Sequence, residues 1–105
     1  MRSSRGPAGV VIVLALLCGC GRGGREVVEI TGFEFRPSEL SVEVGDTVEF
    51  VNRDVVPHTA TARDGSFDSR RLAADSSWSW VARSAGVVSY TCVLHPSMNG
   101  RIEVR

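Results

Sequence analysis

Three residues that can bind a soft metal ion lie close together near the C-terminus. Cys92, His95 and Met98 stand at intervals of three residues within the segment YTCVLHPSMNGRIEV, in a chain with only three cysteines, two histidines and two methionines. Each alone has an ordinary explanation, since a free Cys or a lone Met commonly fills a core and a lone His is more often structural. Together they offer a thiolate, an imidazole and a thioether in one short segment.

A fourth ligand has to come from elsewhere, and the candidate is the other histidine, His58. It follows Pro57, whose ring fixes the backbone just before it. A thiolate, two imidazoles and a weak thioether are the donors of a mononuclear copper site built for electron transfer. Zinc would prefer a fourth, harder ligand or water and would gain little from Met98. The donor set therefore predicts a copper ion bound by His58, Cys92, His95 and Met98.

The segments that must hold these ligands have the pattern of short β-strands. A strand that begins after the turn residue Gly86 is expected to end at Cys92, and the two ligands beyond it are expected in the loop that follows. Asn99-Gly100 predicts a turn that leads into a closing strand at residues 101–104. The C-terminal ligands would therefore lie at one end of a strand pair.

Upstream, apolar and polar side chains alternate with a period of two in residues 40–44, 47–52 and 77–82. Residues 27–30 and 33–35 supply two opening strands, and no stretch has a convincing helical period. Short strands separated by turn signals predict an all-β sandwich of about seven to eight strands.

The N-terminus has the pattern of an export signal. Two arginines precede an unbroken apolar run at residues 10–17, which is too short to cross a bilayer that takes about 20 residues. Residues 17–20, LCGC, are similar to a bacterial lipobox, and Cys20 after Gly19 is the expected lipidated residue. The alternatives are an ordinary signal peptide with two incidental cysteines, or a Cys-x-Cys metal site.

Three regions are therefore predicted: a lipoprotein signal peptide at 1–19, the lipidated Cys20 with a flexible tether at 20–25, and one domain at 26–105. The chain carries twelve basic and twelve acidic residues, which excludes a strongly basic nucleic-acid binder. After cleavage Cys92 is the one cysteine within the domain, so no disulfide can form there. It must be a buried apolar residue, a reactive thiol or a metal ligand.

Residues 30–104 resemble the cupredoxins, the type 1 blue copper proteins, of the amicyanin and plastocyanin type. The resemblance rests on GDTVEFVNRDVVPHT and YTCVLHPSMNGRIEV, in which the short spacing from Cys92 to Met98, with Pro96 after the histidine, is of the amicyanin type. It implies a Greek-key β-sandwich with one copper per chain. It also implies Nδ1 of His58, Nδ1 of His95 and Cys92 Sγ as trigonal ligands, with Met98 Sδ as a long axial ligand.

The resemblance also implies roles for two residues beside the ligands. Asn52 is expected to tie the strand before His58 to the C-terminal ligand loop. Leu94 stands where the family carries a proline, so its N–H is expected to donate to Cys92 Sγ and to influence the redox potential. The alternative is that this N–H faces water or a carbonyl and the leucine side chain lines a docking surface.

The function expected from the residues and the resemblance is non-enzymatic transfer of single electrons by an exported, membrane-tethered monomer. Electrons would pass through His95 to redox partner proteins that dock transiently, and no nucleic acid is expected as a partner. One alternative is a copper carrier or buffer, which usually exposes several Met or His residues. A copper enzyme would need further histidines. The expected apolar docking patch consists of Val55, Val56, Pro57, Leu94 and Pro96.

Overall fold

The computed structural model describes residues 23–105, which form eight strands in two four-stranded β-sheets. In chain order the strands are β1 (Arg25–Thr31), β2 (Glu34–Arg36), β3 (Glu39–Val42), β4 (Thr47–Asn52), β5 (Thr61–Ala62), β6 (Ser77–Val81), β7 (Gly86–Cys92) and β8 (His95–Val104). One sheet has the order β2-β1-β4-β6 and the other β3-β8-β7-β5. The predicted all-β sandwich without a disulfide is confirmed for these residues.

The two sheets share one topological feature. Each contains one parallel pair, β1 with β4 and β3 with β8, while the remaining neighbours are antiparallel. A parallel pair needs a connection that leaves the sheet and returns, so the chain alternates between the two sheets instead of completing one before the other. No helix occurs in residues 23–105, and hence none there that could cross a membrane.

The first strand begins slightly earlier than the sequence predicts. Arg25, the last residue of the predicted tether, pairs with Thr47, and the Gly24 N–H donates to Asp46 Oδ1 at 2.6 Å. The sheet therefore reaches into the end of that segment. The predicted signal peptide and Cys20 lie outside the described residues.

The period-two alternation predicted the buried faces of the central strands correctly. Val48, Phe50 and Asn52 of β4 are buried while their neighbours are half-buried, and β7 buries Tyr90 and Cys92 in the same way. Burial of the apolar side chains among them, such as Val48 and Phe50, contributes about 1.5–3 kcal/mol each and stabilises the sandwich. The apolar core between the sheets consists of Val28, Ile30, Phe35, Val42, Val48, Phe50, Ala60, Ala62, Phe67, Leu72, Ala82, Val88, Tyr90, Cys92, Met98, Ile102 and Val104.

The predicted turn at Asn99-Gly100 is wrong, because both residues lie within the ten-residue strand β8. Gly100 pairs with Tyr90 across the ladder, and a Cβ at this glycine would overlap the ring of that tyrosine. The close approach of the Tyr90 ring therefore explains why residue 100 is a glycine. His95 and Met98 consequently lie on a strand and not in a loop.

Replacing Gly100 with alanine tests this explanation. Gly100→Ala should lower the free energy of unfolding by about 1–3 kcal/mol, because the added methyl group overpacks the core against Tyr90. Urea denaturation measures the change. In a Tyr90→Leu background the same substitution should cost much less, whereas an equal cost in both backgrounds would show that the ring is not the reason for the glycine.

Candidate metal centre

Cys92, His58 and His95 converge at one end of the sandwich. Cys92 ends β7, His95 begins β8 after a two-residue turn, and His58 follows β4. Cys92 Sγ lies 3.8 Å from His58 Nδ1 and 3.6 Å from His95 Nδ1, and the three ligand atoms all lie within 4.8 Å of one another. His58 and Cys92 are fully buried, and His95 is half-buried.

These distances fit a metal ion held between sulfur and nitrogen. First-row metal ions bind thiolate sulfur at about 2.3 Å and imidazole nitrogen at about 2.0 Å, so a trigonal arrangement separates the two atoms by about 3.7 Å. Both observed separations agree with this value. Met98, which is 3% exposed, supplies a buried thioether on the strand that carries His95. The donor set of thiolate, two imidazoles and thioether favours copper.

The position of the ring proton of His58 follows from its other contact. His58 Nε2 lies 2.8 Å from Asp54 Oδ2. Burial raises the pKa of the Asp54 carboxyl, but hydrogen bonds from the Phe33 and Gly32 N–H groups and from His58 together hold it below its usual 3.8. The ionised carboxylate can only accept, so Nε2 carries the proton and Nδ1 is free to bind a metal.

Comparison with known proteins agrees with this site. Residues 24–105 match the copper binding proteins of the plastocyanin/azurin family. The chain belongs to that family. Its copper site is therefore a type 1 site formed by His58, Cys92, His95 and Met98, and the copper predicted from the sequence is confirmed.

The chain is similar in sequence to two amicyanins. The amicyanin of Paracoccus denitrificans is 30% identical over 86 residues, covering 77% of this chain and 66% of that protein. The amicyanin of Paracoccus versutus is 29% identical over 83 residues, covering 74% of this chain and 63% of the relative. The chain thus spans slightly less than two thirds of these relatives.

Solved structures give the same relationship. A Cu(I) amicyanin variant superposes with a TM-score of 0.73 at 28% identity, covering 77% of this chain and 82% of that one. A copper-containing nitrite reductase from Thermus scotoductus SA-01 also gives a TM-score of 0.73 at 31% identity, but this match covers only 22% of the reductase chain.

The backbone around the type 1 site is held by two threonine hydroxyls. Thr91 Oγ1 donates to Met98 O at 2.7 Å and so closes the segment between the ligands Cys92 and Met98. Thr59 Oγ1 accepts the Val93 N–H at 3.0 Å. Hydrogen bonds thus fix the β7–β8 turn both to itself and to the segment that carries His58.

The structure gives the thiolate a different hydrogen-bond donor from the predicted Leu94. In residues 23–105 the N–H group that donates to Cys92 Sγ is that of Thr59, at 3.3 Å. Leu94 sits in the two-residue turn between Cys92 and His95, and its side chain is 40% exposed. The alternative interpretation, in which the Leu94 side chain contributes to an exposed surface, agrees with this placement.

Asn52 also has a different role from the one predicted. Its side-chain Nδ2 donates to Val56 O at 2.9 Å and to Leu72 O at 3.0 Å, while Oδ1 accepts the Asp54 N–H at 2.9 Å. These contacts shape the loop before His58, and none of them reaches the β7–β8 turn. Thr59 makes that connection instead, because it directly follows His58 and lies beside Cys92.

The residues of the predicted docking patch lie in the loop before His58, in the β7–β8 turn and at the start of β8. Val55 is 91% exposed, Leu94 and Pro96 are exposed, and Val56 and Pro57 are half-buried. Sequence reasoning did not assign Phe33 and Val93 to this surface, although both are apolar and exposed. It also missed Asp54, for which the four-residue spacing to His58 was the available signal.

The thiolate hydrogen bond leads to a test by electrochemistry. An N–H donor draws electron density from Cys92 Sγ and disfavours Cu(II), which needs that donation more than Cu(I) does. If this bond differs by about 1 kcal/mol between the two states, Thr59→Pro should have a reduction potential about 40 mV below that of Thr59→Val. Both variants lack the hydroxyl, and only the proline also lacks the N–H.

Leu94→Pro is the matched test at the position predicted from the sequence. Because the Leu94 N–H does not donate to Cys92 Sγ, this variant should keep the potential of the unmodified protein. Voltammetry on the copper-loaded variants measures both values. A fall of similar size in Leu94→Pro, or equal potentials for Thr59→Pro and Thr59→Val, would contradict the assignment of the donor.

Proposed function

We propose that this protein is an exported carrier of single electrons that is anchored to a membrane through lipid on Cys20. The observation that carries the electron-transfer part is the preformed ligand cluster, in which Cys92 Sγ already stands 3.6–3.8 Å from both imidazole Nδ1 atoms. Bound copper supplies the Cu(I)/Cu(II) couple. Ligands fixed by the fold keep nearly one geometry in both states, which lowers the reorganisation that accompanies each transfer.

Electrons enter and leave at His95. This imidazole is the half-exposed one of the pair, whereas His58 is fully buried. Exposed apolar residues adjoin it, since Leu94 and Pro96 flank it in the chain and the Phe33 ring packs against it. With Val93 and the other residues of the predicted docking patch they would form an apolar docking surface. A small apolar surface with few charges suits redox partner proteins that must bind briefly and dissociate quickly.

An enzymatic role has less support. The nitrite reductase that resembles this chain is far longer, since the match covers 22% of it. A catalytic copper centre would need further imidazole ligands, and both histidines of this chain belong to the type 1 site. The chain therefore has the parts of an electron carrier and has no further histidine for a catalytic copper centre.

A copper carrier or buffer is the second candidate. Such a protein must release its metal, which favours exposed ligands in an open arrangement. Here His58 and Cys92 are fully buried and Met98 is 3% exposed, so copper leaves only after the loops open. This burial favours electron transfer over copper delivery.

Absorption and exchange measurements test the electron-transfer proposal. The copper-loaded protein should be intensely blue through thiolate-to-Cu(II) charge transfer, and Cys92→Ser should be colourless because a hydroxyl cannot replace the soft thiolate. Electron self-exchange, followed by NMR line broadening of mixed oxidation states, should be fast. A colourless Cu(II) protein would overturn the site, and a blue protein with negligible self-exchange would favour the copper buffer.

The position of Arg25, at the start of β1, suits a membrane anchor on the preceding segment. Strand β1 runs parallel to β4, with Arg25 beside Thr47 at its start and Ile30 beside Asn52 at its end. His58 follows the Asn52 end, so the domain is tethered at the end of the sandwich away from the ligands. Four residues separate Cys20 from Arg25, and each can span at most about 3.6 Å. The anchor would thus hold the domain near the membrane with the copper end free.

Substitution of the two N-terminal cysteines tests the anchor. Cys20→Ala should leave the protein soluble or unprocessed, because durable membrane binding needs two or more acyl chains, which lipoprotein processing supplies. Cys18→Ala is the control and should fractionate with membranes like the unmodified protein. Membrane fractionation with mass spectrometry of the N-terminus measures both. A processed Cys20→Ala protein that stays fully membrane-bound would contradict lipidation at this residue.

A further inference from the structure

Phe33 occupies a backbone position that ordinarily favours glycine. Gly32 and Phe33 are the two central residues of the β1–β2 hairpin, in which Thr31 pairs with Glu34, and their φ angles are 61° and 60°. A two-residue hairpin of this kind needs positive φ at both positions. A bulky side chain is strained there, so Phe33 has to be held in place by other contacts.

The carboxylate of Asp54 provides those contacts for the backbone. Asp54 Oδ1 accepts the Gly32 N–H at 2.7 Å, and Oδ2 accepts the Phe33 N–H at 2.9 Å. The same Oδ2 lies 2.8 Å from His58 Nε2. One carboxylate therefore fastens the β1–β2 turn to a copper ligand.

The ring of Phe33 stands edge-on against both imidazoles. Its centroid is 5.1 Å from that of His58 at an interplanar angle of 90°, and 4.9 Å from that of His95 at 85°. The two imidazoles are themselves 4.9 Å apart. Three rings thus form a nearly equilateral cluster with the edge-to-face geometry that aromatic pairs prefer.

The two imidazoles differ in how they are restrained. His58 has the Asp54 carboxylate at Nε2, whereas the ring of His95 has one polar contact in the described part of the chain, Nδ1 with Cys92 Sγ at 3.6 Å. The Nε2 side of His95 has no hydrogen-bond partner there. Ring packing, against both Phe33 and His58, is therefore what can fix the plane of the half-buried ring.

We propose that Phe33, fastened by Asp54, is a positioning residue that holds the imidazole of His95 in its copper-binding orientation before the metal binds. Phe33 is 48% exposed and could contribute to docking. Its ring also contacts the imidazoles of both histidine ligands, which a residue used for docking alone would not need to do. The consequence for electron transfer rests on the proposed function. The orientation of the ring in the metal-free protein does not.

Phe33→Gly separates the ring from the backbone. Glycine is favoured at this φ, so the turn and both N–H donors to Asp54 remain while the ring is lost. In the metal-free, isotope-labelled protein, NMR relaxation should show the order parameter of the His95 ring falling well below its value in the unmodified protein. The ring of His58 should keep its order, because Asp54 still restrains it.

Two further variants make the result specific. Arg70 also has a positive φ, 61°, without an aromatic contact, so Arg70→Gly is the matched control and should leave both imidazoles ordered. Phe33→Tyr keeps the ring and should keep His95 ordered. An unchanged order parameter in Phe33→Gly would overturn the proposal, as would equal loosening of His58 and His95 or the same loss in Arg70→Gly.

These outcomes are separable from those of the proposed function. Ring order is measured without copper, so a blue protein with fast self-exchange and a rigid His95 in Phe33→Gly would overturn only the positioning role. A mobile His95 in that variant, with a colourless copper-loaded parent protein, would overturn only the electron-transfer function. If the positioning role and the electron-transfer function both hold, copper-loaded Phe33→Gly should exchange electrons more slowly than copper-loaded Arg70→Gly.

Discussion

The metal centre depends on the contact between the segment that carries His58 and the end of β7. The two segments are more than thirty residues apart in the chain, yet the Thr59 N–H donates to Cys92 Sγ and the Thr59 hydroxyl accepts the Val93 N–H. These two hydrogen bonds join the segment that follows β4 in one sheet to the β7–β8 hairpin of the other sheet. Because His58 directly precedes Thr59, they also set the distance between the buried imidazole and the thiolate, and so the geometry open to copper.

The ligands and the strands could be predicted from the sequence because both depend on local information. Cys92, His95 and Met98 are rare residue types at a spacing that brings three soft donors together, and the chain offers just one other histidine. Alternation with a period of two gives the buried face of each strand without knowledge of its neighbours. That is why β4 and β7 were predicted with the correct residues inside, and why the copper assignment did not need coordinates.

The errors arise where a residue is chosen for a contact that is distant in sequence. Asn99-Gly100 has the composition of a turn, but Gly100 is required because the Tyr90 ring approaches from the neighbouring strand. Leu94 was assigned the thiolate hydrogen bond because it has an N–H where the family carries a proline, whereas the Thr59 N–H reaches the sulfur from a segment distant in sequence. Asp54 could have been noticed four residues before His58, but its bonds to the β1–β2 turn depend on the register of the sheet.

Under the proposed transfer of electrons through His95, the two imidazoles meet opposite requirements. A ligand far from the partner can be held by a half-buried, ionised hydrogen-bond acceptor, as Asp54 holds His58. A ligand through which electrons leave must keep one edge accessible, and a charged partner there would have to be desolvated each time a redox protein docks. Packing by an exposed aromatic ring restrains such a ligand without adding a charge. Phe33 fits this condition in the proposed arrangement, because its ring packs against the imidazole of His95 while 48% of the residue is exposed as apolar surface.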